Sequence, residues 1–157
     1  MRMSQKKRFK PLSAKSLRRV LNVWPPLWGA GIRVLDIHDD WSYAKVRLRK
    51  YWFNKNYVNT HYGGSLFSMT DPFYMLLYLH KMGKDYIVWD KKSEIKFIKP
   101  GRKDCFAEFH VNQQQIDDFK EQLKTEEKLQ PVFEVDIIDT DGTLIAKVWK
   151  TLYIAKK

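Results

Sequence analysis

The chain of 157 residues is 44% hydrophobic and 15% aromatic, which excludes disorder and suits one domain with a real core rather than two. Its formal charge of +11 is uneven, since residues 1–35 carry nine Lys or Arg and no acid. A single cysteine excludes a disulfide framework and points to a reducing, cytoplasmic setting, and no apolar stretch of signal-peptide length precedes Pro11.

Residues 1–12 read as a mobile basic arm, a solvated tail rather than a nucleic-acid binder. Ser13 is placed to N-cap a helix over residues 13–24, with Leu17, Val20, Leu21 and Trp24 on one face and Pro25-Pro26 as its end. Ile32 to His38 reads as a strand with Ile32, Val34 and Asp36 on one side, and Asp39-Asp40 as a turn. Trp41 to Lys50 alternates Ala44, Val46 and Leu48 against Tyr43, Lys45, Arg47 and Arg49, a half-buried strand. The polar loop Asn54-Lys55-Asn56 follows.

Leu66 to Met82 is apolar nearly all round, so it predicts a helix wrapped by the rest of the chain; Asp71, His80 and Lys81 argue against a membrane span. Gly63-Gly64 just before it leaves backbone N–H groups free at a helix start, where an anion or a developing oxyanion is favoured. Asp71 is followed by Pro72. The local pattern favours Asp71 as the N-cap of a helix that starts at Pro72. The alternative is a carboxylate inside a kinked helix.

Tyr86 to Lys99 predicts a long strand with Ile87, Trp89, Ile95 and Phe97 on one face. Lys91 and Ser93 fall on that face, marking either a bulge or a place where the strand looks onto a ligand. Pro100-Gly101 makes a turn. Asp104 to Asn112 is a further strand with Cys105, Ala107, Phe109 and Val111 inward, which makes Cys105 a core residue rather than a nucleophile. Gln113 to Lys128 reads as an amphipathic helix. Pro131–Asp139 and Leu144–Ala155 are strands joined by the hairpin signal Thr140-Asp141-Gly142. The total is an α+β domain, an antiparallel sheet of about six strands around one helix, with two long edges that invite pairing between copies.

The run Gly63-Gly64-x-x-Phe67-x-x-x-Asp71 resembles the Gly-Gly…Asp signature of hotdog-fold acyl-CoA thioesterases, with Tyr62 where the usual His stands and Asn56 matching an Asn of that subfamily. The blocks THYGGSLFSMTDPFYM, DYIVWDKKSEIKFIKPGR and DGTLIAKVWKTLYIAKK are similar to a tetrameric acyl-CoA thioesterase-like branch. The resemblance implies a single hotdog domain over residues 1–157 and places Asp71 one to two turns into the helix. It further implies hydrolysis of an acyl-CoA thioester by a homodimer or homotetramer, with Asp71 as base or nucleophile, the Gly63 and Gly64 amides as oxyanion hole and Asn56 in support. Tyr62, His61, Ser93 and the basic turn Lys99, Arg102 and Lys103 are the expected substrate contacts, the turn for CoA phosphates. The alternative is a hotdog protein that binds an acyl chain or acyl-CoA without turnover. The four histidines have no ligand spacing, so neither a metal nor a cofactor is expected.

Overall fold

The computed structural model describes residues 11–157, so the expected basic arm lies almost wholly outside the described residues. Helix α1 (Ala14–Val23) starts where the Ser13 hydroxyl accepts the Ser16 amide, and it ends at Trp24 before the short α2 (Pro25–Trp28). Its inward side is Ala14, Leu17 and Leu21; Val20 and Trp24, expected on that face, are exposed.

Seven strands form one antiparallel sheet. They are β1 (Ile32–Ile37), β2 (Tyr43–Leu48), β3 (Tyr86–Phe97), β4 (Cys105–His110), β5 (Lys128–Leu129), β6 (Val132–Asp139) and β7 (Leu144–Lys156), in the spatial order β1-β2-β4-β6-β7-β3. The two-residue β5, which pairs with β7, is the strand the sequence does not announce. In β2 the alternation holds as expected: Ala44, Val46 and Leu48 are fully buried. In β1 a bulge between Val34 and Asp36 reverses the expected parity, turning Ile37 inward instead of Asp36. In β3 the parity is opposite to expectation from the outset, with Val88 pointing into the core and Trp89 exposed, as is Phe97 at the far end. A second bulge, between Asp90 and Lys92, then shifts the register so that Ser93 rather than Lys92 stands opposite Lys150.

The sheet curls around α3 (Gly63–Ser68) and α4 (Phe73–Met82). The apolar run is therefore two helices rather than one, separated by a turn over residues 69–72. Proline lacks the amide to continue the ladder and disfavours helical backbone in the residue before it. Asp71 is thus neither inside a helix nor a cap, for no side chain caps α4. Phe73, Tyr74, Leu77, Tyr78 and Met82 carry α4 into the core, where Tyr74 and Tyr78 pack on Phe133. Helix α5 (Gln113–Gln122), capped by Asn112, is shorter than expected and seats Ile116 in the same core.

The two edges of the sheet differ. Along β1, Asn22 of α1 bonds both the amide and the carbonyl of Val34, at 2.8 and 3.0 Å, and Arg18 donates to the Leu35 carbonyl. Helix α1 therefore covers that edge. The outer edge of β3 has no partner among the described residues.

Leu77 is nearly fully buried on α4. Leu77→Ala is expected to cost about 3 kcal/mol of unfolding free energy in a urea titration; a loss below about 1 kcal/mol would show that α4 does not anchor the core.

Candidate active site

The candidate residues fall into two groups, one beside the middle of β3 and the other at its Phe97 end. At the first, Asp71 projects from the turn between α3 and α4 with its side chain 59% exposed. Its Oδ1 accepts a hydrogen bond of 2.8 Å from Nζ of Lys150, a lysine only 1% exposed. Nζ also lies 3.2 Å from Oδ1 of Asp90, whose side chain is 22% exposed. This second contact is an ion pair, longer than the bond to Asp71 and more deeply buried on the acid's side. Burial pushes the Asp90 carboxyl above its ordinary range. The Lys150 ammonium pulls the other way, and the neighbouring Asp71 carboxylate adds to the push. Ser93 is the cross-strand partner of Lys150 on β3 and belongs to this group.

The second group surrounds the start of α3. The first amides bonded within this turn are those of Ser65 and Leu66, both to the Tyr62 carbonyl. The amides of Gly63 and Gly64 precede them and have no backbone acceptor among the described residues. A methyl group on Gly63 would come 3.0 Å from the Phe97 ring at the end of β3, so only glycine leaves that approach unstrained. The Tyr62 ring lies over Gly64 and is otherwise exposed.

Behind this start, His61 is buried. Its amide donates to the Gly101 carbonyl at 2.8 Å and its Nε2 contacts the Lys103 carbonyl at 2.7 Å. Nδ1 is buried without a partner, and burial lowers the imidazole below its ordinary 6.5, against the pull of the Lys103 carbonyl. His61 thus faces inward and pins the turn bearing Lys99, Arg102 and Lys103 beside Gly63. Lys99 and Arg102 are exposed, and Lys103 is paired with Asp141 at the hairpin tip. Asn56 is turned into its own loop: Nδ2 donates to Thr60 Oγ1 and the His61 carbonyl, and Oδ1 accepts the Thr60 amide.

Within one copy the two groups do not meet, since the six residues of α3 alone advance the chain by about 9 Å. The sequence reading missed Lys150 and Asp90. The sign of Lys150 was a cation in the row Ala146, Val148, Lys150, Leu152, Ile154, otherwise apolar throughout. Cys105 is buried, its thiol pushed up to about 12 chiefly by burial, as befits a core residue. Two surface hollows, one lined by His38, Tyr43 and His110 and the other by Lys15, Arg18 and Asp36, share no residue with either group. Among the described residues no helix is long and apolar enough to cross a membrane.

A model of a domain family described as of unknown function, DUF4442, matches residues 14–154. The chain belongs to that family. No curated protein matches the sequence. Among solved structures, a protein of unknown function from Pseudomonas aeruginosa, named a probable thioesterase, superposes with a TM-score of 0.81 at 18% identity, over 94% of this chain and 98% of that one. A thioesterase from Haemophilus influenzae gives 0.66 at 12% identity over 94% and 93%, and the Escherichia coli PaaI protein, from the phenylacetic acid degradation operon, 0.60 at 14% over 91% of each. These likenesses establish the fold. It is the hotdog fold.

Because the folded chain holds His61 neutral, its stabilising contribution is complete above the unfolded imidazole's 6.5 and is lost as the pH falls through the lower folded value. His80, also lowered by burial, acts in the same direction. The melting temperature is expected to fall between pH 6.5 and 5, and less steeply in His61→Gln, which keeps a donor for the Lys103 carbonyl; identical slopes would show that His61 is not held neutral.

Proposed function

We propose that this chain hydrolyses thioesters of the acyl-CoA class, with Asp71 as general base. The observation that carries the proposal is the Asp71 carboxylate itself. One oxygen is fixed at 2.8 Å by a buried lysine and the rest of the side chain is open, in the turn that follows the helix whose first two residues are Gly63 and Gly64. That relatives of the same fold are named thioesterases supports the choice of reaction.

In the proposed reaction Asp71 takes a proton from water as its oxygen attacks the thioester carbon. The carbonyl pair moves onto oxygen and is met by the amides of Gly63 and Gly64, each donor contributing roughly 3 kcal/mol to the transition state. Collapse breaks the carbon–sulfur bond, and the departing thiolate recovers the proton from Asp71. The acid is the second product. The exposed Lys99 and Arg102, beside Gly63 through the His61 latch, suit the phosphates of CoA, with Tyr62 and Ser93 along the acyl path.

A single copy separates base from oxyanion donors, so the working unit is a homodimer. Antiparallel pairing of β3 with its own copy, about a two-fold axis between Ser93 and Glu94, sets Phe97 of one copy opposite Asp90 of the other. Gly63 lies against Phe97 and Asp71 against Asp90, so the pairing brings each glycine pair to the partner's carboxylate. It also fills the edge of β3 that has no partner among the described residues and shields Trp89 and Phe97. Pairing of dimers into a homotetramer would cover further exposed aromatics such as Trp24, Trp28 and Trp52.

One observation favours the rival, binding of acyl-CoA without turnover. Asn56 has its polar atoms engaged inside its loop, and Tyr62 rather than a His stands immediately before the glycines.

With a panel of acyl-CoAs, wild type is expected to release free thiol and Asp71→Asn to do so at least about a hundredfold more slowly; equal rates would refute the role of Asp71, and thermal stabilisation by acyl-CoA without thiol release would select the rival. Asp71→Asn and Gly63→Val are each expected to be inactive, and co-refolding the two should restore activity, because mixed dimers regain one intact site. No recovery would show that each copy works alone.

A further inference from the structure

Lys150 is the side chain most out of keeping with its place. It stands in the inward row of β7 between Val148 and Leu152, both fully buried, and is itself only 1% exposed. Lysine is almost never buried to this degree unless paired, and pairing in a low-dielectric interior costs desolvation that a well-packed apolar residue would avoid.

The pairing is lopsided in a way that stability alone does not explain. An ion pair built only to hold the helix break against the sheet would bury both acids and satisfy them. Here Asp90 is the inner partner, mostly buried and 3.2 Å from the ammonium. Asp71, with the shorter contact, is left more than half open. The anchoring is asymmetric as well. Lys150 lies on a strand laddered on both sides, opposite Phe133 of β6 and Ser93 of β3. Asp71 sits in a turn between two helices, with no other side-chain hydrogen bond among the described residues. The rigid element holds the ammonium, and the ammonium holds the acid.

We propose that Lys150, braced from behind by Asp90, is the positioning residue for Asp71: it fixes Oδ1 and leaves Oδ2 directed outward as the atom that takes the proton from water. The assignment rests on the hydrolytic reading above for its consequence, and on the geometry alone for its substance. It predicts a defect in the chemical step rather than in substrate binding, since Lys150 is too deeply buried to touch a ligand.

The test uses Lys150→Met and the double variant Lys150→Met/Asp90→Asn, in which the ammonium and the charge behind it are removed together so that no buried ion is left unpaired. With an acyl-CoA that wild type hydrolyses, the folded variant is expected to lose about a hundredfold in kcat while KM stays within about twofold. Adding Asp71→Asn should then cause no further loss, because two residues acting through one carboxylate are not additive. Unchanged kcat in a folded variant, or losses that multiply with Asp71→Asn, would overturn the proposal. If wild type hydrolyses no acyl-CoA, the function falls but the geometric claim does not. Crystal structures of wild type and the double variant then decide it. A displaced or disordered Asp71 carboxylate without Lys150 supports the assignment, and one in an unchanged position refutes it. Should neither variant fold, Lys150→Arg, which keeps the cation but shifts its position, is expected to fold and to show the kcat loss without a change in KM; wild-type kcat there would refute the assignment.

Discussion

A positive charge in the inward row of a core strand cannot stand alone, and this constraint ties the fold to its candidate chemistry. The Lys150 ammonium lies among Val148, Leu152 and the packed face of the sheet, so it must be met by negative charge from neighbouring elements. Two acids provide it. Asp90 shares the inner side of β3 with Val88 by plain alternation, and the interruption before Pro72 lets Asp71 hang from a turn instead of pointing away along a helix. Remove either acid and the lysine loses a partner.

The Phe97 end of β3 is organised by a buried neutral histidine. His61 joins the loop before α3 to the turn after β3 through two backbone carbonyls, which ties the turn that carries Lys99, Arg102 and Lys103 to the residues that lead into Gly63. The glycine amides thus lie at the Phe97 end of the edge strand and the Asp71 carboxylate beside its middle. Helix α1 covers the opposite edge, so in the proposed reaction it is self-association through β3 that would unite them.

Much of the fold was legible in the sequence. Strict alternation in β2 and β4, the hairpin signal at Thr140-Asp141-Gly142 and the apolar run after Gly64 each stand at the correct place in the sheet or beneath it. What misled was local parity. In β1 the bulge shifts every later side chain by one face, so Ile37 lies opposite to expectation; in β3 Trp89 faces outward ahead of the bulge, and Lys91 and Ser93 were the hint that the strand breaks register. At the candidate site Asp71 and the glycines stood out by composition, whereas Lys150 did not, because a lysine in a Lys-rich terminal strand looks like surface until its row is counted. Asp71 itself was read either as a cap or as a residue within a helix. Neither local rule allowed for a proline that splits the run and leaves the acid between the halves.

The most direct measurement is a crystal structure with a non-hydrolysable acyl-CoA analogue, a thioether ketone that keeps the carbonyl oxygen but not the scissile bond. The account predicts that this oxygen accepts from the Gly63 or Gly64 amide of one copy, that Asp71 of the other copy faces the carbonyl carbon through one water, and that Lys150 still holds Oδ1. An analogue bound with its carbonyl away from the glycines, or an Asp71 that reaches no carbonyl in either copy, would contradict it.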